Sequence, residues 1–189
     1  GWFVEQWVAE QGEMLVNNDN GRSERATEVN LTSDAVRKVF DWIKEMNDRG
    51  FYTYTGTRQD WAGSRAIFQN GEAMFLITST ADLGLIREAA EESGTSFTTG
   101  KLPIPDDAER NGVVIGGASI WVSRDHPQDE LEAAVDFVLY MTNPENMLSW
   151  AELTGYYPVR TSSVEMMGEA GQTVAFQQLL ETQVNTATA

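Results

Sequence analysis

A turn that carries three neighbouring hydroxyl groups is the first feature of this sequence that could bind a ligand. Thr78, Ser79 and Thr80 follow the apolar run 73–77, and apolar periodicity predicts a helix over 81–93. The first turn of a helix leaves backbone N–H groups without intrahelical partners, and such groups bind anions and ligand oxygens. The hydroxyls and the free N–H groups together indicate a seat for an anion or for a ligand hydroxyl.

A pair of glycines is the second candidate. Gly116 and Gly117 interrupt the apolar segment 113–122, which is otherwise typical of a strand. The pair is not a dinucleotide-binding loop, because the G-x-G-x-x-G spacing is absent and no helix opens directly after it. Glycine within a strand marks a kink or a place where another group approaches the backbone. Two interpretations follow: a packing pair, or a backbone wall of a ligand cleft.

Residues suited to catalysis are scarce. His126 is the only histidine and the chain has no Cys, which excludes thiolate chemistry and metal sites rich in Cys or His. No G-x-S-x-G motif supports a serine nucleophile. Acid pairs such as Asp106-Asp107 occur, but neighbours in sequence do not aim two carboxylates at one point. We expect no catalytic residue, no metal and no cofactor, with a glycosidase-like enzyme as a distant alternative.

Length and charge limit the classes of protein and partner. A chain of 189 residues with 41% hydrophobic residues can bury a core. Its 13 basic and 29 acidic residues give a net charge of −16, which repels phosphate backbones, so we expect no nucleic-acid partner. No apolar run reaches the ~18 residues that span a bilayer. The absence of Cys leaves the redox compartment open.

The six tryptophans divide into two groups by position. Most of them, including Trp42 and Trp150 within predicted helices, are expected to anchor the core or a helix. Trp2 lies at the start of a predicted helix, where its ring could stack on the C–H face of a small polyol. Trp2 is therefore the tryptophan that we consider a candidate for ligand contact.

Helices and strands alternate along the chain, which predicts the α/β class. The apolar runs 73–77 and 113–122 are predicted strands, and 51–54 is either a strand or an aromatic loop. Periodicity and capping signals predict helices over 1–12, 34–48, 59–69, 81–93, 128–142, 143–153 and 163–184.

Five short strings carry a resemblance to a known family. The most specific are I-G-G-A-S-I-W-V at 115–122 and T-G-Y-Y-P at 154–158, supported by F-Q-N-G-E-A-M at 68–74, L-G-L-I-R-E at 83–88 and N-P-E-N at 143–146. With these strings the chain resembles the extracellular solute-binding proteins of ABC importers. Within that family it is most similar to the branch that binds sn-glycerol 3-phosphate.

The resemblance implies a type II periplasmic-binding-protein fold, in which two α/β lobes joined by a hinge close over a ligand. It implies that 1–105 form most of the second lobe, that 106–160 return to the first lobe, and that 161–189 go back to the second. It also implies a fragment, because the opening half of the first lobe would precede Gly1 and the final elements would follow Ala189.

The resemblance further implies four ligand-binding positions. They are Trp2 for stacking on the polyol, Ser79 for a hydroxyl bond to phosphate, Gly117 for a backbone N–H bond and Tyr156 for a phenol bond, with Thr78 and Thr80 as alternatives to Ser79.

The resemblance implies that the protein binds a ligand and catalyses no reaction. The protein would bind sn-glycerol 3-phosphate or a related glycerophosphodiester and deliver it to an ABC permease in the membrane, from a periplasmic or extracellular location. The alternative is a neutral sugar or oligosaccharide on the same scaffold, because hydroxyl and N–H donors serve both kinds of ligand.

Overall fold

The computed structural model describes residues 2–168, and these residues are rich in helix. Eight helical segments and a 3-10 turn at Thr80–Asp82 occur in this range: α1 Trp2–Glu10, α2 Asn17–Gly21, α3 Asp34–Asp48, α4 Trp61–Gln69, α5 Leu83–Ser93, α6 Gln128–Met141, α7 Pro144–Thr154 and α8 Thr161–Met166. The short α2 is a left-handed turn, because Asn18, Asp19 and Asn20 have positive φ. None of the helices in this range combines the length and the apolar character that crossing a membrane requires.

The predicted helices agree with the structure where capping residues fix their ends. The Ser33 hydroxyl accepts a bond from Val36 N at the start of α3, and the Asn143 side chain accepts one from Asn146 N at the start of α7. The prediction over 34–48 is confirmed as Asp34–Asp48. The last predicted helix, 163–184, corresponds to Thr161–Met166 in part, and its portion from 169 onward lies outside the described residues.

The predicted strands are the part of the fold that the structure does not confirm. No strand is assigned within residues 2–168, where the only bridge is an isolated antiparallel contact between Val16 and Val29. The predicted strand 73–77 is open to solvent, since Met74 is 87% and Phe75 86% exposed. A strand exists through its hydrogen-bonded neighbour, and neither 73–77 nor 113–122 has one in this range. The α/β class is therefore not confirmed here.

Contacts divide the described chain into two compact units. The first unit holds the described residues up to Ile77 together with Thr99–Ile115, and the second holds Thr78–Thr98 and the described residues from Gly116 onward. The chain thus passes between the units after Ile77, Thr98 and Ile115. The assignment of 1–105, 106–160 and 161–189 to two lobes stays a prediction.

The core of the first unit forms where α1 packs against α3. Trp7 and Val8 of α1 are buried, as are Ala35, Val36 and Val39 of α3. Burying such side chains is worth about 1.5–3 kcal/mol each when the side chain is large.

Polar side chains of α1 also fasten the segment 110–114. Gln6 pairs with both backbone groups of Val114, donating at 2.9 Å and accepting at 2.7 Å. Glu10 is fully buried and accepts from the Arg110 guanidinium at 2.9 Å and from Gly112 N at 3.2 Å. Burial raises the pKa of Glu10 above its ordinary value, more than these two donors lower it.

The core of the second unit forms around α7, which contacts α5, α6 and α8. Gly84 of α5 lies so close to the carbonyl of Leu153 that a Cβ at this position would overlap it. Ile86 of α5 and Ala151 of α7 are buried at this contact. The Ser163 hydroxyl of α8 donates to Pro144 O at 3.0 Å. These contacts fix both ends of α7.

Candidate ligand-binding site

Ser79 caps the 3-10 turn that leads into α5. Its hydroxyl oxygen accepts a bond from Ala81 N at 3.2 Å, and the residue itself has the extended backbone of a cap. A serine hydroxyl has one proton to donate in addition to its acceptor capacity. Within residues 2–168 that proton has no hydrogen-bond acceptor, and the half-buried side chain can offer it to a ligand oxygen.

Thr78 differs from Ser79 in what its hydroxyl already does. Its proton is donated to the Asp82 carboxylate, which is buried at the start of α5. A carboxylate at this position is favoured by the positive end of the helix dipole. Since the single proton of Thr78 is in use, Thr78 is a poorer donor to a ligand than Ser79.

Gly155 brings the end of α7 against the turn at 78–80, which carries the three hydroxyl groups and is called the hydroxyl turn below. It ends α7 in the left-handed conformation, with φ of 88°. A Cβ at this position would overlap the carbonyl oxygen of Thr80 and lie 2.8 Å from Leu83 Cβ. Only glycine fits both the backbone conformation and the contact. The residue that follows, Tyr156, therefore lies beside the turn that contains Ser79.

Tyr156 is exposed beside this contact and is held from α7. Its ring centroid lies 6.4 Å from that of Trp150, with the planes tilted by 34°. Its backbone N donates to Thr154 Oγ1 at 3.1 Å. The ring is 41% exposed, and its phenol oxygen has no hydrogen-bond partner among the residues that the structure describes. Tyr156 and Ser79 thus present free polar hydrogens from neighbouring segments.

Gly117 belongs to the same unit, in the exposed segment that follows Ile115. Its φ is 153°, and nothing lies within 4 Å of the point where a Cβ would be. The open space leaves its backbone accessible. Its ligand role stays a prediction.

Trp2 lies in the other unit, as the first residue of α1, and is 39% exposed. The neighbouring Phe3 contacts Trp61 at 5.8 Å and Trp7 at 6.0 Å between ring centroids, and Trp7 contacts Trp42 at 5.3 Å. Trp2 therefore adjoins an aromatic cluster of its own unit. Stacking of Trp2 on a ligand stays a prediction.

Trp150 and Thr154 were missed as site residues by sequence reasoning. Trp150 lies within α7 as predicted, but it is not a core residue, because its side chain is 52% exposed and its ring lies against Tyr156. The helical position of Trp150 indicated only that it belonged to α7. The string T-G-Y-Y-P carried the available signal, since it places a hydroxyl two residues before the tyrosine.

A groove elsewhere in the same unit suits a polar solute less well. It is a groove of about 330 Å³ between α6 and the segment 120–123, with Trp121, Phe137 and Val138 among its lining residues. Its polar groups include His126 and Glu130, which bind each other at 3.1 Å. A solute with several hydroxyls needs several convergent donors, and this lining is mainly apolar. Within residues 2–168 no cluster of His, Asp and Glu is placed to hold a metal ion.

Comparisons with known proteins identify a family and related proteins. A model of the family described as bacterial extracellular solute-binding protein matches residues 1–178. The sn-glycerol-3-phosphate-binding periplasmic protein UgpB of Yersinia enterocolitica is 28% identical over 174 residues. The proteins of the same name from Pectobacterium atrosepticum and Salmonella typhimurium are 30% and 28% identical over 176 residues. Each alignment covers 90% of this chain and 38% of the relative.

Proposed function

The chain belongs to the family of bacterial extracellular solute-binding proteins, and from this premise we propose that the complete protein is the substrate-binding component of an ABC importer. Its proposed ligand is sn-glycerol 3-phosphate, the ligand that the names of those relatives give, or a related glycerophosphodiester. The chain spans 38% of the length of those relatives.

The contact between the Thr80 carbonyl and Gly155 is the observation that carries this proposal. It unites the hydroxyl turn and the T-G-Y-Y-P string, which lie more than 70 residues apart in the sequence. Two unconnected segments that present free hydroxyl protons at one place suit a polar solute. The proposed function is binding alone.

Neutral donors are able to hold an anion in this unit despite its acidity. The hydroxyls of Ser79 and Tyr156 donate to phosphate oxygens, and the exposed backbone N–H of Gly117 adds a third donor. Each hydrogen bond to a charged group contributes roughly 1.5–3 kcal/mol. The negative charge of the ligand would then be balanced by these hydroxyl and N–H groups together with residues of the longer chain.

The proposal extends to fold, partner and location. The complete protein would have the two-lobed α/β fold of type II periplasmic binding proteins, with 1–105 and 161–189 in one lobe and 106–160 in the other. Lobe closure on ligand would create the surface that an ABC permease recognises, in the periplasm or outside the cell. A ligand that binds the closed form better shifts the protein toward it.

A neutral sugar is the second candidate, because two cationic side chains of the second unit form hydrogen bonds to backbone carbonyls. The Arg87 guanidinium donates to Glu152 O at 2.5 Å, and the Arg160 guanidinium donates to Thr142 O. Asp82 also adds a buried negative charge close to Ser79. A neutral polyol would meet the same donors without repulsion from Asp82.

Calorimetric titration of the complete protein tests the proposal. We expect sn-glycerol 3-phosphate to bind more tightly than glycerol, inorganic phosphate or maltose, because only that ligand uses both the hydroxyl and the anion contacts. Tightest binding of maltose would eliminate the proposed ligand in favour of the neutral sugar.

Two substitutions test whether the ligand binds at Ser79 and Tyr156. Ser79→Ala and Tyr156→Ala should each weaken binding by at least about 1 kcal/mol, since each removes a donor to the ligand. Ser93→Ala is the matched control, because Ser93 is an exposed serine of the same unit whose hydroxyl donates to Ala89 O at the end of α5. Equal affinity in all three variants would remove Ser79 and Tyr156 from the site.

A further inference from the structure

The last turn of α7 forms a support for Tyr156 that involves both its backbone and its ring. We propose that Thr154 and Trp150 are positioning residues, which hold the Tyr156 phenol in its ligand-binding orientation before the ligand arrives. The inference rests on the proposed function of Tyr156. It assigns roles to two residues that do not themselves need to touch the ligand.

The hydroxyl of Thr154 connects Tyr156 to the helix by two bonds. It accepts a bond from Tyr156 N at 3.1 Å and donates its own proton to Trp150 O at 2.6 Å. A threonine hydroxyl has one proton, so the donation orients the oxygen toward the N–H that it receives. The path of the backbone into Tyr156 is therefore fixed from within α7.

The ring of Trp150 fixes the other half of Tyr156. Trp150 lies one helical turn before Thr154, on the same face of α7. Its ring contacts that of Tyr156 at 6.4 Å between centroids, and both rings are partly exposed. In the absence of that contact the exposed tyrosine would sample several rotamers. Holding a side chain that binding would otherwise immobilise saves about 0.5–1.5 kcal/mol per side chain.

Gly155 completes the support by fixing where the turn lies. Its contact with the Thr80 carbonyl sets the turn against the Ser79 segment, while Thr154 and Trp150 set the direction of Tyr156 from that point. These contacts are made by Trp150, Thr154 and Gly155, which all belong to the end of α7. The phenol position relative to Ser79 is therefore determined by α7 and not by a mobile loop.

Affinity for sn-glycerol 3-phosphate in variants of the complete protein tests the inference. Thr154→Val keeps the shape and removes the hydroxyl, and we expect its Kd to rise about three- to tenfold, the range for one lost hydrogen bond. Thr154→Ser should rescue most of the affinity. Trp150→Ala, at an exposed position that tolerates truncation, should also weaken binding, and Trp150→Phe should weaken it less.

A matched control separates positioning from helix stability. Thr142 ends α6 in the same way, with its hydroxyl donating to Val138 O at 2.8 Å. Thr142→Val therefore loses the same kind of helix-end bond without disturbing Tyr156, and we expect its affinity to equal that of the wild type. A Kd raised equally by Thr142→Val and Thr154→Val would overturn the inference.

A double-mutant cycle with Tyr156→Phe decides whether the effect acts through the phenol. In that background Thr154→Val should change Kd less than twofold, because the group that it positions is already absent. An undiminished effect would contradict the inference, and so would an unchanged Kd in the single variants.

A measurement without ligand keeps the inference separate from the proposed function. The NMR order parameter of the Tyr156 ring should fall in Trp150→Ala and Thr154→Val but not in Thr142→Val. A wild type that binds neither sn-glycerol 3-phosphate nor maltose would refute the proposed function, while the ring measurement would still decide the positioning role. Unchanged ring order in both variants would overturn it.

Discussion

The buried carboxyl group of Glu10 holds the segment 110–114 in place, and burying this group costs free energy. Its carboxylate receives the Arg110 guanidinium and Gly112 N, and together with Gln6 it holds 110–114 against α1. The carboxyl is fully buried, whereas the Arg110 side chain is 30% exposed. Burial outweighs the two donors and raises the pKa above the ordinary value of 4.5. Glu10 is therefore protonated more easily in the folded state than in the unfolded state.

This raised pKa has a defined consequence for stability against pH. The folded state binds the Glu10 proton more tightly than the unfolded state, so the contribution of Glu10 is fully present below pH 4.5 and is lost as pH rises through the folded pKa. We expect the free energy of unfolding of the wild type, minus that of Glu10→Gln, to fall as pH rises from about 4 to 7.

Urea denaturation of both proteins across that range measures the difference. The slope cannot exceed about 1.4 kcal/mol per pH unit for one group. A wild type that gains stability over Glu10→Gln on raising the pH would show that the Arg110 pair dominates burial.

Ser79 illustrates which part of the site could be predicted from the sequence. Three adjacent hydroxyls before a helix indicated a donor cluster, and that inference needed only residue types and order. Which hydroxyl keeps its proton depends on partners, since Thr78 donates to Asp82 whereas Ser79 accepts from Ala81. The role of Trp150 was hidden for the same reason, because its neighbour Tyr156 lies beyond the end of the helix.

At the scale of elements, the end of α7 is constrained by both its backbone conformation and its packing. Gly155 has positive φ and touches the Thr80 carbonyl, whereas Gly94 ends α5 with φ of 68° and has nothing within 4 Å of a Cβ. The two glycines therefore share a left-handed conformation and differ in packing. Comparing the two positions therefore separates the cost of the packing contact at Gly155 from the cost of placing a side chain in the left-handed conformation.

The pair of substitutions Gly94→Ala and Gly155→Ala makes that separation. Alanine in the left-handed conformation costs about 1–2 kcal/mol at either position, and Gly155→Ala should cost several kcal/mol more because the methyl overlaps the Thr80 carbonyl. Thermal or urea unfolding of the complete protein measures both. Equal losses of stability would show that the turn at 78–80 moves freely away from α7.

Helices were predicted well and strands were not, for a physical reason. A helix closes its hydrogen bonds within its own residues, so periodicity and caps such as Ser33 and Asn143 determine it locally. A strand depends on a partner elsewhere in the chain. The apolar composition of 73–77 and 113–122 indicated strands, but composition does not say whether a partner is present. Exposed Met74 and Phe75 are the result.

At the scale of the whole molecule, the exposed apolar side chains and the length of the relatives both bear on what covers this surface. Trp121 is 88% exposed, and α6 has no buried residue although Phe137 and Leu139 lie on it. Contiguous apolar surface of this kind marks an interaction face. The relatives are more than twice as long as this chain, and we expect further residues of the complete protein to cover such surface.

The structure of the complete protein with bound sn-glycerol 3-phosphate is the most direct test of the central claim. We expect the Ser79 hydroxyl and the Tyr156 phenol to lie within about 3.2 Å of oxygens of the same ligand molecule. A ligand bound elsewhere, for example in the groove beside Trp121, or a Ser79 hydroxyl turned into the protein interior, would contradict it.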